Sequence, residues 1–191
     1  DVLSKNALNS EKIALISIEK NGDEFKNITY KELDDISSRF ANALLNLGLK
    51  KKDKILVILP RIPEWYGVLF GCAKMGAIAM PGTTLLTAND IEYRVKISGA
   101  KAVVVSQLHC EAVEKIKDQC PSLTDIIFVG GERDGWKNFD VLTNESSNHF
   151  DRSMIPPTKS DDPMLIYFTS GSTAMPKMVE RDHAYGLSHL I

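Results

Sequence analysis

The residues of this chain best suited to chemistry are Thr169-Ser170-Gly171-Ser172-Thr173-Ala174-Met175-Pro176-Lys177. Four hydroxyls and a glycine occupy five consecutive positions, a mobile cation follows at Lys177, and Pro176 stiffens the chain just before it. Holding a polyphosphate needs donors that converge on anionic oxygens and a backbone that can approach them closely. This segment offers both. Its spacing is not that of a Gly-x-x-x-x-Gly-Lys-Ser/Thr loop, and Ala174 stands where a second glycine would be expected, so the hydroxyls must do more of the holding. Ser, Thr, Gly and Pro are also the residues of an ordinary surface turn, and on composition alone the two readings stand level.

Other reactive side chains carry less. Cys72, Cys110 and Cys120 are odd in number and lack Cys-x-x-Cys spacing, which argues against a disulfide framework or a thiolate metal site and predicts reduced thiols. His109-Cys110-Glu111 could suggest metal ligation. Neighbours on a helix diverge by about 100°, however, and do not easily share one ion, so structural roles are expected there and no metal site is assigned.

The loop must be delivered by the elements around it. Residues 13–18 alternate apolar with small or polar side chains, and Asn21-Gly22 is a turn signal leading into residues 25–30, which predicts a hairpin. The period then becomes helical: Leu33, Ile36, Phe40, Ala43, Leu44 and Leu47 share a face, Thr29 and Glu32 form a capping box, and Gly48 is the stop. From residue 54 the spacing predicts strands over 54–59, 77–80, 101–106 and 125–129. The helices between them open at Pro63, close at Gly76, open at Thr87 with Asp90, close at Gly99, and run from Leu108 to Cys120. Strands separated by helices imply parallel pairing through right-handed crossovers: an α/β fold, a mostly parallel sheet with helices on both faces. Residues 144–162 are rich in Asn, Ser, Asp and Pro and mark an internal boundary. Residues 1–150 are therefore read as a first α/β subdomain with an amino-terminal hairpin and helix. Residues 151–191 are read as a linker, a strand and the hydroxyl-rich loop, beginning a second, incomplete subdomain. In that reading Met164, Leu165, Ile166 and Phe168 lack packing partners within the chain.

The chain of 191 residues is 43% hydrophobic and 25% charged, ordinary for a globular protein. Its 23 basic and 25 acidic residues are interspersed and leave a formal net charge of -2, so there is no basic field for nucleic acid. Asp1-Val2-Leu3-Ser4-Lys5 lacks the features of a signal peptide, and no apolar run approaches the ~20 residues of a membrane span. A cytoplasmic location is expected, or the mitochondrial matrix where a transit peptide has been removed.

The segment Tyr167-Phe168-Thr169-Ser170-Gly171-Ser172-Thr173-Ala174-Met175-Pro176-Lys177 resembles the phosphate-binding signature of the acyl-adenylate-forming superfamily, which includes acyl-CoA synthetases, peptide-synthetase adenylation domains and luciferases. Ile28-Thr29-Tyr30-Lys31-Glu32-Leu33, Leu47-Gly48-Leu49 and Asp53-Lys54-Ile55 extend the resemblance over nearly the whole chain. Leu59-Pro60-Arg61-Ile62-Pro63-Glu64-Trp65, Pro81-Gly82-Thr83-Thr84 with Leu86-Thr87, and Pro176-Lys177-Met178-Val179-Glu180 look most like medium-chain acyl-CoA synthetases. By themselves the first two of these read as a helix start with an interfacial tryptophan and as a tight turn.

The resemblance implies part of the large amino-terminal domain of an acyl-CoA synthetase-like fold. It also implies a two-step reaction. A carboxylate attacks the α-phosphorus of ATP and releases pyrophosphate, and the acyl-adenylate then passes its acyl group to the thiol of coenzyme A, with Mg2+ accompanying the ATP. Thr169, Ser170, Gly171, Ser172, Thr173 and Lys177 would grip the β- and γ-phosphates. His183 falls beside the family's acyl pocket, although an exposed helix-start histidine after an N-cap at Asp182 explains it equally well. Ala174 departs from the family's glycine. If that backbone needs positive φ, alanine costs about 1 kcal/mol or more, which predicts modest impairment.

The family's adenine-stacking, ribose-binding and catalytic-lysine segments do not occur in these residues, so no catalytic residue is assigned and the chain alone is expected to be inactive. Transfer to a carrier protein and a non-catalytic paralogue are the rival readings. A small carboxylic acid (medium-chain, branched or aromatic) and the remainder of the same polypeptide are the expected partners, with homo-oligomerisation left open.

Overall fold

The structure, a computed structural model, describes residues 2–18, 22, 25–169 and 175–186. Residues 170–174, at the centre of the hydroxyl-rich loop, lie outside the described residues. The elements in chain order are α1 (Val2–Ala7), β1 (Ile13–Ile18), β2 (Phe25–Thr29), α2 (Tyr30–Asn46), β3 (Lys54–Ile58), α3 (Pro63–Met75), β4 (Ile78–Pro81), α4 (Ala88–Ser98), β5 (Ala102–Ser106), α5 (Cys110–Ile116), β6 (Asp125–Val129), β7 (Lys137–Asn138), α6 (Phe139–Asn144), β8 (Pro163–Thr169) and β9 (Lys177–Asp182).

Helix boundaries follow local chemistry. Thr29 and Glu32 exchange hydrogen bonds at the start of α2 (Thr29 N to Glu32 Oε2 2.7 Å, Glu32 N to Thr29 Oγ1 3.1 Å), satisfying donors that a helix start leaves orphaned. The Thr29 backbone N–H also holds the Glu32 carboxyl below its ordinary pKa. Thr87 and Asp90 repeat the device at α4. Gly76 and Gly99, at φ 73° and 66°, end α3 and α4 in the left-handed region that glycine enters without a Cβ penalty.

β1 and β2 form a separate antiparallel hairpin. The main sheet has seven strands in the order β7-β6-β5-β3-β4-β8-β9, parallel throughout except for β9. Alternate residues of each strand feed two cores. Ile55 and Val57 of β3 pack with α2, α3 and α6 on one face, whereas Leu56 and Ile58 pack with α4 and α5 on the other. α2 and α3 approach closely because α3 carries glycines at the crossing. A Cβ on Gly71 would lie 2.9 Å from the Ser37 carbonyl oxygen, and one on Gly67 would lie 2.8 Å from Ile36 Cγ2. Among the described residues no helix is long and apolar enough to cross a membrane.

Three expectations change. The 108–120 helix is broken: turns of 3-10 helix at Gln107–His109 and Lys117–Gln119 flank a short α5. Buried Cys110, Val113 and Ile116 recur every third residue while Leu108 is 70% exposed, and tightened turns keep an i, i+3 set facing inward where an ideal α-helix would rotate it away. Next, residues 163–169 add to the first sheet beside β4, with Leu165 opposite Ala79. Ile166 is fully buried, and Leu165 and Phe168 pack against the two cores, so the apolar residues of β8 do find partners. Finally, β9 returns antiparallel to β8, which the polar sequence Lys177-Met178-Val179-Glu180-Arg181-Asp182 did not suggest.

The linker before β8 is tied to the entrance of β3 by Asp162, whose carboxylate meets Lys51 at 2.6 Å and Lys52 at 3.0 Å and accepts the Lys159 N–H at 2.8 Å. The Lys159 N–H, then the two lysines, hold the Asp162 carboxyl well below the usual carboxylate range. A depressed carboxyl pKa gives stability that is present above the unfolded value and is lost as pH falls toward the folded one. Asp162→Asn is therefore expected to melt at a lower temperature than the unsubstituted chain at pH 7, and the gap is expected to close below about pH 3.9. Thermal melts from pH 7 to pH 2 check this, and a gap that persists unchanged in acid contradicts it.

Candidate active-site edge

Parallel strands end at one edge of the sheet, and here the chain leaves that edge in opposite directions. β3 exits into α3 on one face, and β4 exits into α4 on the other. Diverging exits from adjacent parallel strands open a crevice outside their carboxyl ends. The structure has a groove of about 520 Å3 there, between Leu59-Pro60-Arg61 with Trp65 on one side and Pro81-Gly82-Thr83-Thr84 on the other, with Tyr167 of β8 on its wall. The Arg61 guanidinium stacks over the Trp65 ring at 4.9 Å, placing a cation and an aromatic face at the rim. A Cβ on Gly82 would sit 2.8 Å from Leu86 Cδ1, so any larger residue at this turn would have to displace that methyl group.

The hydroxyl-rich segment lies at the same edge. β8 runs parallel to β4 and ends at Thr169, and β9 begins directly opposite, with Thr169 and Lys177 as register partners. Both are exposed. β8 and β9 thus pair as a hairpin, and the segment's first hydroxyl and its lysine are brought together where the two strands end. Of the candidate residues, Thr169, Met175, Pro176 and Lys177 are described, whereas Ser170, Gly171, Ser172, Thr173 and Ala174 fall outside the described residues. α4 anchors the base: Tyr93 Oη donates to the Pro176 carbonyl at 3.0 Å, and Arg94 lies 4.9 Å over the Phe168 ring. Sequence reasoning missed both anchors. The Tyr93 to Pro176 contact spans 83 residues and has no local signature, whereas the segment of Arg61 and Trp65 reads in the sequence as a helix start with an interfacial tryptophan, and α3 does begin at Pro63.

His183 lies elsewhere. Asp182 is the last residue of β9 and the register partner of Pro163, so it does not cap a helix; residues 183–186 form a turn with Tyr185 N bonded to Asp182 O at 3.2 Å. His183 is therefore at the opposite end of the hairpin from Lys177. It lines a cavity of about 530 Å3 with Leu3, Phe70, Ala73 and Met164. Among the described residues its Nε2 is shielded and finds no hydrogen-bond partner, and burial lowers its pKa.

Burial pushes the Cys72 thiol up to about 12 and also raises Cys110 and Cys120, so all three stay protonated near neutral pH. Among the described residues no group of three or more His, Cys, Asp and Glu could hold a metal ion. What this edge offers is a groove, hydroxyl donors and a mobile cation.

Residues 4–190 match the sequence profile of the AMP-binding enzymes. Acyl-coenzyme A synthetase ACSM4, mitochondrial, of Mus musculus is 41% identical over 175 residues, covering 91% of this chain and 29% of that protein. Acyl-coenzyme A synthetase ACSM1, mitochondrial, of Homo sapiens is 39% identical over 168 residues, covering 87% of this chain and 28% of that protein. The chain thus spans less than a third of the length of these curated relatives. The crystal structure of the anthranilate CoA ligase AuaEII in complex with anthranoyl-AMP superimposes with a TM-score of 0.87 at 23% identity, over 100% of this chain and 36% of that one. At that identity the likeness speaks to the fold alone.

Proposed function

This chain belongs to the AMP-binding enzyme family, and from that premise we propose that it supplies the phosphate-binding hairpin of an acyl-CoA synthetase that activates a small carboxylic acid with ATP and transfers the acyl group to coenzyme A. One observation carries the reading: β8 and β9 place Thr169 and Lys177 opposite each other at the edge where the parallel strands end. Attack of a carboxylate on the α-phosphorus brings two anions together against their repulsion, so positioning and neutralisation do most of the catalytic work. Lys177 offsets charge on the β- and γ-phosphates, and the hydroxyls of Thr169, Ser170, Ser172 and Thr173 donate to their oxygens. The same hydroxyls are hard oxygen donors that suit Mg2+, which would arrive on the phosphates and polarise them. The pyrophosphate leaves from this hairpin, and the coenzyme A thiol then attacks the acyl carbon of the adenylate, forming the thioester and releasing AMP.

A medium-chain, branched or aromatic acid is the proposed substrate, supported by the three segments that resemble medium-chain synthetases. The mitochondrial names of the relatives support the matrix over the cytosol. Ala174 is the one feature that favours a second reading, a paralogue with weakened turnover.

Carboxylate-dependent exchange of labelled pyrophosphate into ATP tests all of this. The complete polypeptide is expected to exchange, the 191-residue chain alone to stay at background, and Ala174→Gly in the complete polypeptide to raise the rate by roughly two- to tenfold, the equivalent of about 1 kcal/mol. Exchange by the 191-residue chain at the full rate contradicts the division of labour. Silence from the complete polypeptide with every carboxylate offered contradicts the enzymatic reading.

A further inference from the structure

α4 is a firm support beside the hairpin. Its N-cap, Thr87, stands three residues after Thr84 of the groove wall. The Thr87 and Asp90 capping box fixes one end, the left-handed Gly99 ends the other, and Ile91 and Val95 are fully buried against the sheet. Consecutive residues on a helix diverge by about 100°, so Tyr93 and Arg94 reach different strands. Arg94, 8% exposed, donates from Nη1 to Asp90 O at 2.9 Å and lies 4.9 Å over the ring of Phe168, near the end of β8. Phe168 packs against the core, which gives the Arg94 contact a packing reason.

Tyr93 has a different target. Its Oη donates to the Pro176 carbonyl at 3.0 Å in a partly buried bond, at the entry of β9. That carbonyl and the Lys177 N–H belong to one peptide unit, which is planar and rigid. On the loop side, the ring of Pro176 restricts rotation of the chain by fixing φ. One hydroxyl therefore fixes the plane from which the Lys177 Cα departs, while the Lys177 side chain stays exposed opposite Thr169.

We propose that Tyr93 is a positioning residue for the phosphate site: from α4, its hydroxyl sets the peptide that carries Lys177 and so sets where that cation stands at the edge of the sheet. The kinetic consequence rests on the acyl-CoA synthetase reading, whereas the anchoring of the peptide does not. Tyr93→Phe is the test variant, because it keeps the ring and removes only the hydroxyl.

In the 191-residue chain, Tyr93→Phe is expected to speed amide exchange at residues 177–179 about fivefold relative to β3, the size of one neutral hydrogen bond. In the complete enzyme it is expected to raise KM for ATP about fivefold, with kcat and the KM for carboxylate and for coenzyme A within about twofold. With Lys177→Ala already in place, the same change is expected to alter KM for ATP by less than about twofold, since the cation it positions is gone. Unchanged exchange at residues 177–179 overturns the anchoring. A KM for ATP that does not move, or one that rises equally with and without Lys177, overturns the positioning role. So does a loss spread evenly over all three substrates, which is the mark of a merely structural tyrosine. If the unsubstituted enzyme forms no acyl-adenylate, the function proposed above fails, while the exchange result still decides whether Tyr93 holds the start of β9.

Discussion

Lys177→Ala in the complete enzyme is expected to lower kcat/KM for ATP by roughly 10- to 100-fold, since a charge-assisted hydrogen bond contributes about 1.5–3 kcal/mol. Lys177 is exposed at the first position of β9, opposite Thr169, and its ammonium has no buried structural task, so the loss should fall on nucleotide binding and turnover and leave the fold intact. The hairpin base stays anchored through Tyr93 Oη and Pro176 O and through Arg94 over Phe168. Lys177→Arg should recover part of the loss, because it keeps the charge but replaces a compact ammonium with a planar fork. Steady-state kinetics with ATP varied, alongside a thermal melt, separates the effects. A decrease of less than about threefold with an unchanged melt removes Lys177 from the phosphate site.

The largest stability effect is expected at Asp34. Lys74 of α3 has a side chain only 6% exposed, and its ammonium meets Asp34 Oδ1 at 2.7 Å, Asp34 O at 3.1 Å and Ser38 Oγ at 2.7 Å, all on α2. Asp34→Ala removes the only carboxylate bonded to that ammonium among the described residues and leaves it with the Asp34 carbonyl and Ser38 Oγ beneath the packed helices. Breaking a fully buried pair costs about 3–5 kcal/mol, and because Asp34 is 18% exposed roughly 2–4 kcal/mol is expected here. Burial already lowers the Lys74 pKa, with Asp34 opposing it; without the carboxylate it falls further.

The sign of the pH dependence follows. A lysine whose folded pKa lies below its unfolded value binds fewer protons in the native state, so stability rises with pH between the two values. The Asp34→Ala deficit should therefore be smaller near pH 10 than at pH 7. Urea unfolding at both pH values measures it. The double variant Asp34→Ala with Lys74→Met should recover much of the loss, as replacing a buried pair with apolar groups often does. A deficit below about 1 kcal/mol at pH 7, or one that grows with pH, would show that the pair is not effectively buried.

What could be read in advance was local. The Thr29 and Glu32 and the Thr87 and Asp90 boxes, the stops at Gly76 and Gly99, and the strands of the central sheet all depend on residues within one or two turns of each other, and each appears where the spacing predicts. The break of the helix around α5 was missed because Leu108 counts as apolar wherever it points, and only the packed core shows that it faces solvent. Residues 163–169 looked orphaned because their partners, Ala79 and the two cores, are remote in sequence. His183 after Asp182 resembled a capped helix start, but pairing of Asp182 with Pro163 claimed that residue for the sheet.

By itself the sequence determined the chemistry available to this protein: which hydroxyls, which glycine and which lysine stand in one short run, and the family to which that run belongs. These are matters of covalent order, and no fold is needed to state them. The tertiary structure decided that Thr169 faces Lys177, that the hairpin leaves the edge where β3 and β4 part, and that Tyr93 reaches across to hold that edge. The physical reason is the reversal of crossover direction at β3. It depends on which helix packs against which face of the sheet, and that is settled by burial of side chains far apart in the chain.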